Sequence, residues 1–206
     1  MPDSSAPANP MLVSTRNAHK VSEIRAILGS GFDIRDLSSI PDFPEVEETG
    51  STFEENATLK ALAASLHFDG WVIADDSGLE VDALGCAPGV RSARYAGPDA
   101  DDVANNSLLL KNLADVSECD RSARFRCVIV LARNGKKIAA FNGAVEGTIL
   151  RAPRGQAGFG YDPLFVAHGS EATFAELGNE EKNAISHRSK ALALLKSAEQ
   201  WHEKNV

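Results

Sequence analysis

The apolar positions of this chain change period several times, and each change marks an element. Met11-Leu12-Val13-Ser14 is a short, nearly unbroken apolar run of the kind a buried strand shows. It leads through Thr15-Arg16-Asn17-Ala18-His19-Lys20 into Val21, Ile24 and Leu28, which recur at helical spacings. Gly29 and Gly31 end that helix. Residues 32–50 are expected to be extended and loop-like, closing on Glu45-Val46-Glu47-Glu48-Thr49-Gly50. Ser51 and Thr52 each stand three residues before a glutamate (Glu54, Glu55), which offers two capping boxes for a second helix. Its core stripe is expected at Leu59, Leu62 and Leu66. Trp71-Val72-Ile73-Ala74 reads as a buried strand that ends at Asp75-Asp76-Ser77-Gly78, and a third helix is expected near Ala100 to Leu113, with Val103, Leu109, Leu110 and Leu113 inward. Ala123 to Leu131 is rich in β formers, and Asn134-Gly135 is a hairpin turn into Lys137 to Val145. Arg154 to Tyr161 is glycine-rich, and a final helix is expected from about Ser186 to Trp201, with Leu192, Leu195 and Ala198 inward. Strand–helix alternation early and a hairpin late predict an α/β protein with a mixed sheet.

Composition narrows the partners. The 206 residues suit one sizeable domain, expected over 11–206, and 43% hydrophobic with 24% charged residues is ordinary for a globular protein. Twenty-one Lys plus Arg against 29 Asp plus Glu leave a net charge of −8, which argues against a broad nucleic-acid surface. A small phosphate ligand needs only a few cations in a cleft and stays open. Residues 1–10 have three prolines, no basic n-region and no apolar h-region, so a disordered extension and no secretory signal are expected. No run approaches the roughly 18 apolar residues of a membrane span. Cys86, Cys119 and Cys127 form no CxxC pair, as expected of thiols in a reducing cytoplasm.

Chemistry is concentrated in five places. Thr15 to Lys20 is a strand-to-helix turn with Asn17 as a candidate N-cap, and unpaired amides at helix N-termini bind phosphate. A capped helix with a surface lysine has the same pattern, but Lys20 in a first turn opposes the helix dipole and asks for a reason. Asp75 and Asp76 end an expected strand, where open α/β sheets place ligands; with Glu47 and Glu48 they could hold Mg²⁺, which takes one or two carboxylates plus phosphate oxygens. Neighbouring strand residues face opposite ways, so one aspartate of the pair would face a given ligand. Asn56 and Lys60 share a helix face opposite the leucines, which fits either a cleft or solvent. Phe159 and Tyr161 stand among Gly155, Gly158 and Gly160, as a base-stacking loop would, or a loop whose rings fill the core. Lys182, His187 and Arg188 add donors near the last helix.

In their order and spacing these segments resemble the inosine-triphosphate pyrophosphatase family, which hydrolyses deaminated purine nucleoside triphosphates. The matching stretches begin with Ser14 to Lys20, then Glu47-Glu48-Thr49-Gly50 with Phe53, Glu55-Asn56-Ala57 and Leu59-Lys60-Ala61. Ala74-Asp75-Asp76-Ser77-Gly78-Leu79, Ala87-Pro88-Gly89 and Ser92-Ala93-Arg94-Tyr95-Ala96-Gly97 follow. Gly158-Phe159-Gly160-Tyr161-Asp162-Pro163 and Glu181 to Arg188 complete the set, which departs at Arg16, where many relatives have glycine. The resemblance implies an elongated mixed β-sheet with flanking helices, two lobes around a central substrate cleft, a homodimer, and Mg²⁺-dependent release of nucleoside monophosphate and pyrophosphate. It implies that Thr15, Arg16, Asn17, Ala18, His19, Lys20 and Lys60 hold the triphosphate, and that Glu48 and Asp76 hold the metal, with Asp76 as general base. Ser77 would contact substrate, and Phe159, Gly160, Tyr161, Asp162, Lys182, His187 and Arg188 would form the base pocket. A nucleotide-binding regulator without chemistry, or a pyrophosphatase for ordinary or pyrimidine triphosphates, would share most of these features.

Overall fold

The computed structural model describes residues 9–198. Six strands form one sheet in the order β2-β1-β3-β4-β5-β6, where β1 is Asn9–Val13, β2 Phe32–Asp36, β3 Trp71–Val81, β4 Ser122–Arg133, β5 Lys136–Ile149 and β6 Phe165–Ala167. β1 runs parallel to β2 and β3, while β6 is antiparallel to β5, so the sheet is mixed as the alternation predicts. Among the described residues five α-helices accompany it: α1 (Ala18–Leu28), α2 (Phe53–Ser65), α3 (Asp102–Asn112), α4 (Asn179–Ile185) and α5 (His187–Ser197). β1 starts at Asn9, so the expected extension loses its last two residues to the strand; the rest of it, and the expected helix end at Trp201, lie outside the described residues.

The described residues form two compact units, the first comprising residues 9–76, 128–141 and 191–198 and the second 77–127 and 142–190. β4 shows how differently they are built. Its residues in the second unit alternate, with Ala123, Phe125 and Cys127 buried between partly exposed Ser122, Arg124 and Arg126, while Val128 to Ala132 in the first unit are all buried. Alternation means one covered face, and a continuous buried run means two. The turn between β4 and β5 is the expected Asn134-Gly135 pair, both in the left-handed region with φ of 51° and 71°.

In the first unit α1 buries Val21, Ile24 and Leu28 as its spacing predicts. α2 does not follow its leucines. Leu59 is 38% and Leu66 72% exposed, and the buried face is Phe53, Asn56, Ala57, Ala61 and Ala64. The reason is that α2 turns Asn56 and Lys60 toward buried carboxylates, and the small alanines beside them allow the close approach that leucines would block. Its start is the Thr52–Glu55 capping box, with Ser51 also donating to Glu55 through its N–H and hydroxyl. Those bonds hold the Glu55 carboxyl below its usual range.

The second unit packs around Phe125, whose ring meets Phe165, Phe174 and His187 at centroid distances of 4.7, 5.8 and 4.9 Å. α3 contributes Leu109, with Leu113 following it, but Val103 is 73% exposed, contrary to expectation. The inward residue near the start of α3 is instead Asn105, which accepts from Ala96 N–H and donates to Ala93 C=O. Arg121 is nearly fully buried and donates to the carbonyls of Leu113, Ile149 and Leu150, closing the end of this core.

Ser92, one of the residues in the matching stretches, fastens β3. Its hydroxyl accepts from Leu79 N–H at 2.9 Å and donates to Gly89 C=O at 2.6 Å. A Cβ on Gly78 would lie 2.3 Å from that hydroxyl and 2.5 Å from the Gly89 carbonyl oxygen. Neither can yield without breaking the bonds just described. Gly78→Ala is therefore expected to lower stability by about 1–3 kcal/mol, the range for overpacking, read from the urea midpoint at unchanged m-value.

Candidate functional site

The sequence reading ends a strand at Asp75-Asp76, yet β3 continues through both to Val81, and both side chains are buried, at 1% and 6% exposure. An ionised carboxylate taken out of water costs several kcal/mol unless paired. Each aspartate has its own lysine, as opposite-facing neighbours require. Lys20 Nζ lies 2.5 Å from Asp75 Oδ1, and Lys60 Nζ lies 2.9 Å from Asp76 Oδ1. That pairing is what lets acidic residues continue as strand, and it supplies the reason for a lysine in the first turn of α1.

Lys60 does more. Its ammonium also donates to Glu48 Oε1 at 2.7 Å and to the Asp75 carbonyl at 2.9 Å. Burial by itself would lower the Lys60 pKa, but Asp76 and Glu48 reverse this and hold it above its ordinary value. Burial pushes the Asp76 carboxyl above the usual carboxylate range, with Lys60 and Lys20 pulling against it and Glu48 adding to the rise. Asn56, one helical turn before Lys60, accepts from Gly50 N–H at 2.8 Å and places its amide nitrogen 3.4 Å from Asp76 Oδ2. It thus ties the loop that carries Glu48 to β3, a role that its spacing from Lys60 hinted at without deciding.

Glu48 and Asp76, the candidate metal ligands, therefore meet at one ammonium. The donors around that ammonium are carboxylate and carbonyl oxygens, the set a hard cation prefers, and Lys60 acts as a stand-in cation that shows the fit. Among the described residues no three His, Cys, Asp or Glu side chains gather for a metal, so further ligands would come from phosphate oxygens or water.

The turn before α1 is tightly made. Asn17 is its N-cap, accepting from the N–H groups of His19 and Lys20 at 2.9 and 3.1 Å, and Thr15 accepts from Asn17 N–H. Ala18 and His19 are exposed. Arg16 donates to Phe43 C=O at 2.6 Å, fastening the turn to the segment that leads to Glu48. A cavity of about 800 Å³ opens beside it, lined by Arg16, Ser22 and Arg25 of the α1 region and by Asp36, Ile40 and Phe43.

In the second unit the expected base-pocket residues gather around Phe159. Lys182 Nζ stands 4.9 Å and Arg188 Cζ 5.8 Å from the ring centroid, within cation–π range. Lys182 pairs with Asp162 at 2.6 Å, and Asp162 accepts from Phe159 N–H at 2.9 Å. Arg188, 1% exposed, donates to Ser77 at 3.0 Å. His187 stacks on Phe125, and Tyr161 is a core residue whose hydroxyl donates to Ser92 C=O. Of the two rings in the glycine loop, one fills the core and one faces cations. Phe159, Lys182 and Arg188 together offer a π-face beside buried donors, which suits a flat, oxygen-bearing ring.

The comparisons fit this geometry. The family model described as the Ham1 family matches residues 11–198. A Geobacter sulfurreducens protein named dITP/XTP pyrophosphatase is 53% identical over 192 residues, covering 93% of this chain and 96% of that protein. A Bacillus subtilis protein of the same name is 47% identical over 185 residues, 89% of this chain and 93% of its own. Among solved structures, the Staphylococcus aureus Ham1 protein superposes with a TM-score of 0.83 at 42% identity, covering 94% of this chain and all of that one. The Mycobacterium abscessus nucleoside-triphosphatase, also titled dITP/XTP pyrophosphatase, gives 0.74 at 45% identity, covering 92% of this chain and 100% of its own. The chain belongs to the Ham1 family, as its sequence motifs predict.

The Lys60 knot has a direct consequence for stability. Lys60→Met would leave Glu48 and Asp76 side by side with no shared cation. The expected loss is about 3 kcal/mol, at the low end of the range for breaking a buried pair because Glu48 is 25% exposed. Thermal or urea denaturation in chelator checks it.

Proposed function

We propose that this chain hydrolyses deaminated purine nucleoside triphosphates (ITP, dITP, XTP) to the nucleoside monophosphate and pyrophosphate, with Mg²⁺ as cofactor and a homodimer as the working form. The observation that carries the reading is the charge balance at Lys60. Two lysines, Lys20 and Lys60, face three carboxylates, Glu48, Asp75 and Asp76. A triphosphate would meet net negative charge there, so a divalent cation is needed to make the cluster attractive to it. The names of the relatives support the substrate class.

Held by Glu48 and Asp76, Mg²⁺ would neutralise phosphate charge and lower the pKa of a bound water. The other work falls to side chains of this chain. Lys20, Lys60 and the Asn17-capped turn hold the triphosphate. Asp76 accepts the proton of the water that attacks the α-phosphorus, from a position that Lys60 and Asn56 fix. Pyrophosphate then leaves as one piece. Phe159 stacks on the purine, while Arg188, which has only donors, pairs with the 6-oxygen that hypoxanthine and xanthine carry. Adenine presents an amino donor at that position, and a donor facing a donor leaves both unpaired at a cost of about 1–3 kcal/mol.

Pyrophosphate release from ITP, dGTP, dUTP and ATP, with and without Mg²⁺, tests the reading; it requires ITP to be preferred and the metal to be necessary. Asp76→Asn should remain folded and lose turnover. A folded variant that keeps most of its Mg²⁺-dependent activity would remove Asp76 from the mechanism.

Base selection is separable from base stacking. Phe159→Ala should weaken ITP and ATP alike, by about 1–3 kcal/mol in kcat/KM, because every base has a π-face. Arg188→Ala should lower ITP preferentially and narrow the ITP-to-ATP ratio. Equal losses for both substrates would assign Arg188 to the phosphates or to the fold.

A further inference from the structure

The loop that carries Phe159 is poorly suited to holding a ring still. Residues 151–158 are exposed, and Gly155, Gly158 and Gly160 all have positive φ, at 81°, 75° and 64°. Glycines lose the most backbone freedom on ordering, so such a segment needs outside contacts to keep one conformation. Two come from α3. Asp102 Oδ2 accepts from Gly160 N–H at 2.6 Å, and Asn106 Nδ2 donates to Gly160 C=O at 2.8 Å. Both polar groups of the residue that follows Phe159 are thus held, by side chains more than fifty positions away in the chain.

The clamp is preset. Asp102 and Asn106 are four residues apart and share a helix face, and Asn106 Nδ2 also donates to the Asp102 carbonyl at 2.8 Å, which fixes its amide. The orientation comes with a penalty, since Asn106 Oδ1 is buried and has no hydrogen-bond partner. An orphaned buried acceptor is unfavourable, so this amide is in place for its donors rather than for packing.

Resting on the base-site reading above, we propose that Asp102 and Asn106 are positioning residues for purine recognition: they clamp Gly160 and so hold the Phe159 ring in place for stacking. Neither touches the purine. Their action is on the base end of the substrate and leaves the lysines and carboxylates of the first unit untouched.

The test uses Asp102→Ala, Asp102→Asn and Asn106→Leu, with inorganic tripolyphosphate as a probe of the phosphate end alone. Asn106→Leu removes the donors together with the orphaned acceptor, so the thermal midpoint should not fall. In Asp102→Ala and Asn106→Leu the KM for ITP should rise about tenfold, within what loss of base stacking gives, while kcat stays within about twofold. Inhibition by tripolyphosphate should be unchanged, and Asp102→Asn, which keeps an acceptor, should recover most of the Asp102→Ala loss. The clamp is overturned if Phe159→Ala raises KM and the two clamp variants do not. It is equally overturned if tripolyphosphate binding weakens in step with KM, or if Asp102→Asn gives no recovery. If Phe159→Ala itself leaves KM unchanged, the base-site reading fails and the clamp with it.

Discussion

Two consecutive aspartates buried in one strand set the terms for the first unit of this protein. Removing their charges from water is expensive, and the chain meets the cost with two lysines from two helices, Lys20 on α1 and Lys60 on α2. Much of the local structure follows from that demand. α1 must begin where its first turn reaches Asp75, although a lysine there opposes the helix dipole. α2 must turn a polar residue inward, so its buried face is built of Phe53, Asn56 and alanines while Leu59 and Leu66 lie outside. The loop of Glu48 is drawn in through the same ammonium and through Asn56.

That arrangement is stable as it stands and primed for chemistry. Asp75 is held by Lys20, and Glu48 and Asp76 share the Lys60 ammonium. A site of this kind is not attractive to a triphosphate by itself, which gives the proposed requirement for a divalent cation a physical origin in the charge balance. Preorganised charges in a dry setting are also where electrostatic stabilisation of a transition state is strongest.

The second unit solves a different problem. The residues proposed there for base recognition must offer buried donors that are themselves held in place. Lys182 has Asp162, Arg188 has Ser77, and both cations lie against the Phe159 ring. The aromatic core around Phe125 carries His187, so the start of α5 is set by packing as much as by chemistry. Asp76 and Ser77 are neighbours in the chain, and the boundary between the units falls between them.

Most of the elements were legible in the sequence, and the residues proposed for the site were named from its motifs. Periodicity marked α1, the hairpin at Asn134-Gly135 needed only its turn residues, and the change in β4 from alternating to continuous apolar positions is written in Ser122 to Arg133. Where periodicity failed, long-range partners were the cause. Leucines at Leu59 and Leu66 have helical spacing on either face of α2, and nothing local tells which face meets Asp76. Asp75 and Asp76 read as a strand end because an isolated pair of carboxylates cannot be buried; lysines 55 and 16 residues away by numbering make it possible. The clamp on Gly160 joins residues more than fifty positions apart and leaves no periodic trace. Sequence by itself determined which groups were present and which local elements they could enter. Tertiary structure decided which face was buried and which charge met which, because desolvation is settled by the partner that arrives and not by the neighbour in the chain.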